Sequence, residues 1–145
     1  MMTRLICIIA ALLALALVPK PSLAATAAQT CYQDYSNGNY TAAIKDCTVA
    51  IGQNANDNGS YVNRCAAYNV LGNYSAALAD CNQAIALNPK LVSAYDYRGL
   101  AYEKQGQNPA ANADYQKVLA IDPSNQFAQE ALKRLGASPT APGGR

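Results

Sequence analysis

The chain has 145 residues, 51% of them apolar, with no histidine and no tryptophan. Eleven Lys and Arg stand against nine Asp and Glu, and two of the basic residues, Arg4 and Lys20, belong to the first segment, so the remainder is charge-balanced. That balance gives no footing for nucleic acid or for an anionic membrane, and the length suits a single domain.

Arg4 precedes fourteen apolar residues from Leu5 to Val18, followed by "PKPSLA" with Ser22 and Ala24 in a small-x-small pattern. A basic start, a short apolar run and a small-residue exit read as a cleaved secretory signal over residues 1–24. Cleavage is expected after Ala24, with Ala27 as second choice. A helix of this run would reach about 21 Å, short of the ~30 Å hydrocarbon core, so no stable membrane insertion is expected after cleavage. The expected location is periplasmic or secreted. Cys7 leaves with the signal, and the four remaining cysteines, Cys31, Cys47, Cys65 and Cys81, point to disulfides in an exported chain.

Aligning Cys31, Cys65 and Gly99 puts three 34-residue windows in register: 24–57, 58–91 and 92–125. Tyr61 matches Tyr95, Arg64 matches Arg98, Tyr68 matches Tyr102, Gly72 matches Gly106, Ala77 matches Ala111 and Pro89 matches Pro123. Each window holds two helical patterns. In the third, Tyr95, Gly99 and Tyr102 share one face, and Gly106 ends the helix as a left-handed cap. Pro109 opens a second helix with the stripe Ala111, Tyr115, Val118 and Leu119, and Pro123 closes the unit. Connections of two or three residues require antiparallel packing. A further helix over 125–136 carries Phe127, Ala128, Ala131, Leu132 and Leu135 on one face. The Pro/Gly-rich tail 137–145 is expected to be disordered.

These windows resemble tetratricopeptide repeats, whose pattern sets an aromatic, Leu-Gly, Tyr, Ala, a second aromatic, a small residue and Pro over 34 positions. Window three matches at Tyr95, Gly99, Tyr102, Ala111, Tyr115 and Pro123; window two at Tyr61, Tyr68, Ala77, Ala84 and Pro89. Window one is degenerate: it keeps Gly38, Tyr40, Ala43 and Ala50 but has Ala27, Asp34 and Ala55 where aromatics and Pro are expected, so its first helix is expected to begin late or fray. The resemblance implies an all-α fold: an α-solenoid of three helix hairpins within residues 25–136, closed by a capping helix.

On such hairpins Cys65 and Cys81 lie at nearly equal height on either side of Gly72, as do Cys31 and Cys47 around Gly38. In the family pattern the first of these sites is small and the second faces inward, which suits a disulfide. Cys31–Cys47 and Cys65–Cys81 are the expected pairs; pairing of Cys47 with Cys65 across the repeat boundary is the rival. Window three has Gly99 and Tyr115 at the equivalent places, so packing replaces the bond there. Arg64 with Asp80, and Arg98 with Asp114, are expected to tie helix to helix. Three N-x-S/T triplets, at 39–41, 58–60 and 73–75, read as turns in which Ser or Thr caps the next helix, rather than as glycosylated sites.

No catalytic constellation, phosphate-binding loop or metal-ligand cluster is present in the sequence, so neither an enzyme nor a cofactor is expected. The family binds partners on the concave face lined by the first helices. Here the resemblance places Tyr32, Tyr35, Val62, Asn63, Ala66, Asn69, Asp96, Tyr97, Leu100 and Glu103 on that face, with an unidentified peptide or protein as partner. A subclass grips C-terminal carboxylates with basic residues and asparagines. Only Asn63 matches it, with Ala28, Tyr32, Ser93 and Tyr97 at the other sites, so that recognition is not expected. The alternatives are a structural subunit stacking through its repeat edge and, more distantly, a thiol-active protein.

Overall fold

The computed structural model describes residues 23–136. Residues 1–22 of the expected signal, and the expected tail from Ala137, lie outside that range. Seven helices follow in order: α1 (Leu23–Ser36), α2 (Tyr40–Gln53), α3 (Asn58–Val70), α4 (Tyr74–Leu87), α5 (Val92–Lys104), α6 (Asn108–Ile121) and α7 (Gln126–Arg134). They pack as the hairpins α1–α2, α3–α4 and α5–α6, stacked in sequence, with α7 against α6. No strand occurs among the described residues.

The turns repeat as faithfully as the helices. Gly72 has φ +78°; its N–H donates to the Asn69 carbonyl at 3.1 Å, and the Asn73 N–H reaches back to Tyr68 at 2.9 Å. This pair of bonds around a left-handed residue is the Schellman closure, which only glycine enters without a steric penalty. The same two bonds close the hairpins at Gly38 and Gly106. Between hairpins, Asn54, Asn88 and Asp122 each turn a side-chain oxygen onto the N–H two residues ahead, at 3.0–3.1 Å. These Asx turns leave the second helix at the residue before Ala55, Pro89 and Pro123, which is why window one turns correctly without a proline.

Two expectations are corrected. The first helix of window one is fully formed, because packing on α2 through the Cys31–Cys47 pair holds it without the missing aromatics; Thr30 and Ser36 turn their hydroxyls onto carbonyls four residues back, at 2.9 and 2.8 Å, without breaking it. At the two Asn-Tyr-Ser/Thr triplets the N-cap position is held by the residue before the tyrosine, not by Ser or Thr, and of the two asparagines Asn39 makes no side-chain cap bond. Asn39 and Asn73 are the N-caps, and the Asn73 side chain accepts from Ala76 N–H at 3.3 Å. In the middle triplet Asp57 caps α3, accepting from Gly59 and Ser60 N–H, and the Ser60 hydroxyl donates to it at 2.6 Å.

The core is uneven along the stack. In the first two hairpins it consists of alanines (Ala43, Ala50, Ala67, Ala77, Ala84) around fully buried cysteines. Cys31 and Cys47 stand at disulfide distance with Cα atoms 4.7 Å apart, and Cys65 and Cys81 likewise with Cα atoms 5.6 Å apart, so each pair lies within one hairpin. The third hairpin uses large side chains instead: Tyr95, Tyr115, Val118 and Leu119 join Ala128, Ala131 and Leu132 of α7. Gly99 admits the Tyr115 ring, since a Cβ there would come within 2.7 Å of the ring edge.

A ladder of arginines ties the second helices together. Arg64 donates from Nε and Nη2 to both oxygens of Asp80 at 2.7 Å, and its Nη1 reaches Thr48 on the preceding hairpin at 2.8 Å. Arg98 does the same with Asp114 and with Asn82. Each guanidinium also lies over a tyrosine ring, Tyr61 or Tyr95, within 5.8 Å. The backward reach to the preceding repeat and the ring contact were not foreseen from sequence. The Asp114 side chain is only 6% exposed, so Arg98→Ala strands a carboxylate with little water. A loss of about 2 kcal/mol is expected, less than for a fully enclosed pair because Arg98 itself is partly solvated. Chemical denaturation of the variant checks this; unchanged stability would show that the pair contributes nothing.

Candidate functional site: the concave face

Helices α1, α3 and α5 lie side by side, and the residues assigned to their common face fall into three groups. Tyr32 is the open one, 55% exposed. It lines a groove of about 430 Å³ with Ala28, Gln29, Asp57, Gly59, Ser60 and Asn63, between α1 and the start of α3. Asn63 is half-buried, its amide 3.8 Å from the Cys31 sulfur.

The second group is buried, against the expectation of a lining surface. Val62, Ala66 and Asn69 are all enclosed. The Asn69 amide donates to the Tyr97 backbone carbonyl at 2.9 Å and approaches the Cys65 sulfur at 3.8 Å, while its Oδ1 has no partner. These α3 positions form a floor, because side chains from α1 and α5 lean in above the small residues between them. The Tyr35 and Tyr97 hydroxyls meet at 2.9 Å although 62 residues separate them. Burial, then the Tyr97 hydrogen bond, push the Tyr35 phenol above its ordinary value, and the Tyr40 ring stands 6.0 Å away.

The third group faces the capping helix. Glu103 accepts from Arg134 Nε and Nη2 at 2.8 Å and from the Tyr115 hydroxyl at 3.0 Å. Arg134, first among these causes, holds the Glu103 carboxyl below the usual carboxylate range. Leu100 is half-buried. Asp96 accepts from Asn125, the N-cap of α7, at 3.3 Å, and its Oδ1 is buried without a partner. Arg134 and Asn125 were not among the expected face residues. The sequence marks α7 as an amphipathic cover, and nothing in that pattern says its polar residues reach back to α5.

Asp96 makes a pH prediction. Burial raises its pKa from 3.8 to about 6, with the Asp122 charge adding to the shift and the Asn125 bond opposing it. The folded state therefore holds the proton more tightly than the unfolded chain, and this contribution is full below pH ~4 and is lost as pH rises through about 6. Asp96→Asn is expected to raise stability at pH 7 by about 1 kcal/mol, the full linkage value being discounted for partial exposure. It should change little at pH 3.5. Thermal melts at both pH values test the sign; an equal gain at both would exclude Asp96 titration as its source.

At the other end of the stack, the outer side of the first hairpin carries small or acidic residues. Ala27, Thr30 and Asp34 stand where later repeats place Tyr61, Arg64 and Tyr68. Without an arginine there, Asp46 is held above its ordinary value by burial and by the nearby Asp34 carboxyl. A shallow groove of about 300 Å³ on this side is lined in part by Leu23 and Val49. Among the described residues no group of His, Cys, Asp and Glu could hold a metal ion, and no helix is long and apolar enough to cross a membrane.

Residues 60–91 and 92–125 each match a tetratricopeptide-repeat family model. The fold is similar to the tetratricopeptide domain of Arabidopsis OM64, with a TM-score of 0.76, 31% identity, and 78% of this chain and 93% of that one covered. It is also similar to the first such domain of Spaghetti (RPAP3) bound to the HSP90 peptide SRMEEVD (TM-score 0.75, 29% identity, 78% and 90% covered). The second domain of human RPAP3 in complex with the HSP70 peptide SGPTIEEVD gives a TM-score of 0.72 at 27% identity, with 79% and 99% covered. No curated protein matches the chain. Two successive units in one register, and a shared architecture over most of the described chain, place this protein in the tetratricopeptide-repeat family.

Proposed function

We propose that this chain is an exported interaction module that takes a peptide or protein segment on the concave face of α1, α3 and α5. The observation that carries the reading is the exposed Tyr32 ring beside an open groove on the helix layer that stays uncovered when the hairpins stack. A tyrosine standing outside the packing positions offers a rigid apolar surface with a polar tip, a combination enriched at interfaces. Relatives of the same architecture bind HSP90 and HSP70 peptides, which supports a peptide-binding role of some kind. The ligand here is of a different type. With Ala28, Tyr32, Ser93 and Tyr97 at the positions where carboxylate-gripping members carry basic and amide groups, the face lacks the charge for an acidic C-terminus. The fold typically serves as a non-catalytic scaffold, and no residue constellation here argues otherwise.

Export rests on the N-terminal segment and its expected cleavage after Ala24; the N-terminal residue of secreted protein, read by mass spectrometry, tests it. For binding, the exported proteins of the source cell should be passed over the wild type and over a Tyr32→Ala variant of unchanged melting temperature, Tyr32 being the exposed ring of the groove. A protein retained only by the wild type supports the concave face. A protein held equally by both would move the site elsewhere. The alternative is self-stacking through the first hairpin, whose outer side carries the exposed Leu23 and Val49 beside Ala27 and Thr30. Light scattering across concentration decides that point.

A further inference from the structure

The concave face is crossed by its own side chains. Tyr35 lies near the end of α1 and Tyr97 near the middle of α5. Their separation of 62 residues falls six short of two repeats, so Tyr35 starts about 9 Å further along its helix. Both side chains lean the same way along these parallel helices, so it is the reach of the two long tyrosines that spans this offset and brings the hydroxyls to 2.9 Å. The bond passes over α3, whose residues at this level, Ala66 and Asn69, are short enough to lie underneath. Tyr97 is fixed in turn by the Asn69 amide on its backbone carbonyl and by contacts with two clusters of the core.

We propose that the Tyr35–Tyr97 bond is a clasp: it holds the concave face closed over α3 in the unliganded chain, and a partner reaches the floor only by parting the two phenols. The inference deepens the concave-face reading by setting the chemistry of the ligand. Opening leaves two half-buried hydroxyls and the unpartnered Asn69 Oδ1 in need of hydrogen bonds. An extended backbone, with a donor and an acceptor on each residue, satisfies them, whereas an aliphatic surface leaves each unmade at a cost. The partner is therefore a strand-like peptide segment, and the half of the groove beside Tyr32 is where it can dock before the clasp opens.

The clasp is testable without a partner. Tetranitromethane should be applied to the oxidised full-length protein and nitration mapped site by site. Tyr32 is the reactive reference and Tyr115, fully buried, reports an intact fold. Tyr35 and Tyr97 should react far more slowly than Tyr32. In Tyr35→Phe, Tyr97 should react about fivefold faster, the change in opening expected from losing one side-chain hydrogen bond; in Tyr97→Phe, Tyr35 should gain by the same factor. Reciprocity separates a shared bond from local loosening. If both phenols match Tyr32 in the wild type, or if neither substitution releases the other while Tyr115 stays protected, the clasp does not exist. That failure would leave the concave-face reading intact, because an open groove still binds, whereas undiminished retention of partner by Tyr32→Ala would remove the reading and leave the clasp.

Discussion

Reductant, or replacement of all four cysteines by alanine, is expected to lower stability by about 6 kcal/mol, roughly 3 kcal/mol for each closed loop. Native domains have only about 5–15 kcal/mol in total, so much of the chain should be unfolded at ordinary temperature. How little holds these hairpins without the bonds follows from what surrounds the sulfurs. The first two hairpins bury alanines and cysteines and almost no large side chain, and each alanine contributes little apolar area. All four cysteines are enclosed, so reductant acts only through opening, and denaturant should accelerate it. Circular-dichroism melts before and after complete reduction, verified by alkylation, measure the loss. A melt indifferent to reduction would mean that packing alone holds these hairpins.

Tyr115→Ala should cost about 4 kcal/mol, in the range of large aromatic truncations in a core. The ring is fully buried against Gly99, meets Phe127 edge-on at 5.9 Å, and donates its hydroxyl to Glu103. The site has little freedom to collapse, because Gly99 has no side chain to advance into the space. Gly99→Ala should destabilise as well, despite the roughly 1 kcal/mol helix-propensity gain, since its Cβ would meet the ring at 2.7 Å. The two losses should fall short of additive in the double variant, because each removes the other's cause. Urea unfolding of the three variants gives the cycle; a Gly99→Ala protein more stable than the wild type would refute the close approach.

Most of the architecture was legible because it is periodic. A 34-residue recurrence of Gly72 and Gly106, with tyrosines at helical spacing, dictates hairpins of equal length, and equal heights about the turn glycines bring Cys65 to Cys81 and Arg64 to Asp80. Periodicity is silent about contacts between side chains two repeats apart. Which neighbouring side chains reach over α3 decides whether its positions face a groove or lie beneath it, and Tyr97, packed against the cluster that holds Val62 and bonded to Asn69, is part of why Val62, Ala66 and Asn69 proved buried. The meeting of Tyr35 and Tyr97, which no register relates, is of the same kind. Capping failed for a local reason. In Asn-Tyr-Ser/Thr both polar residues can cap, and the helix begins at the tyrosine, which puts the asparagine at the N-cap position and leaves the Ser or Thr inside the first turn.

The uneven distribution of large side chains along the stack has a consequence for how the chain acquires its shape. The last hairpin and α7 can condense by burying Tyr95, Tyr115 and Leu132 with no oxidation at all, while bond formation between thiols takes seconds to hours. In repeat arrays order spreads from whichever unit forms first. The C-terminal end should therefore act as a template, so that quenching the reaction with an alkylating agent would trap the 65–81 link ahead of the 31–47 link. Maturation would then run from the carboxyl end toward the amino end, opposite to the direction of synthesis.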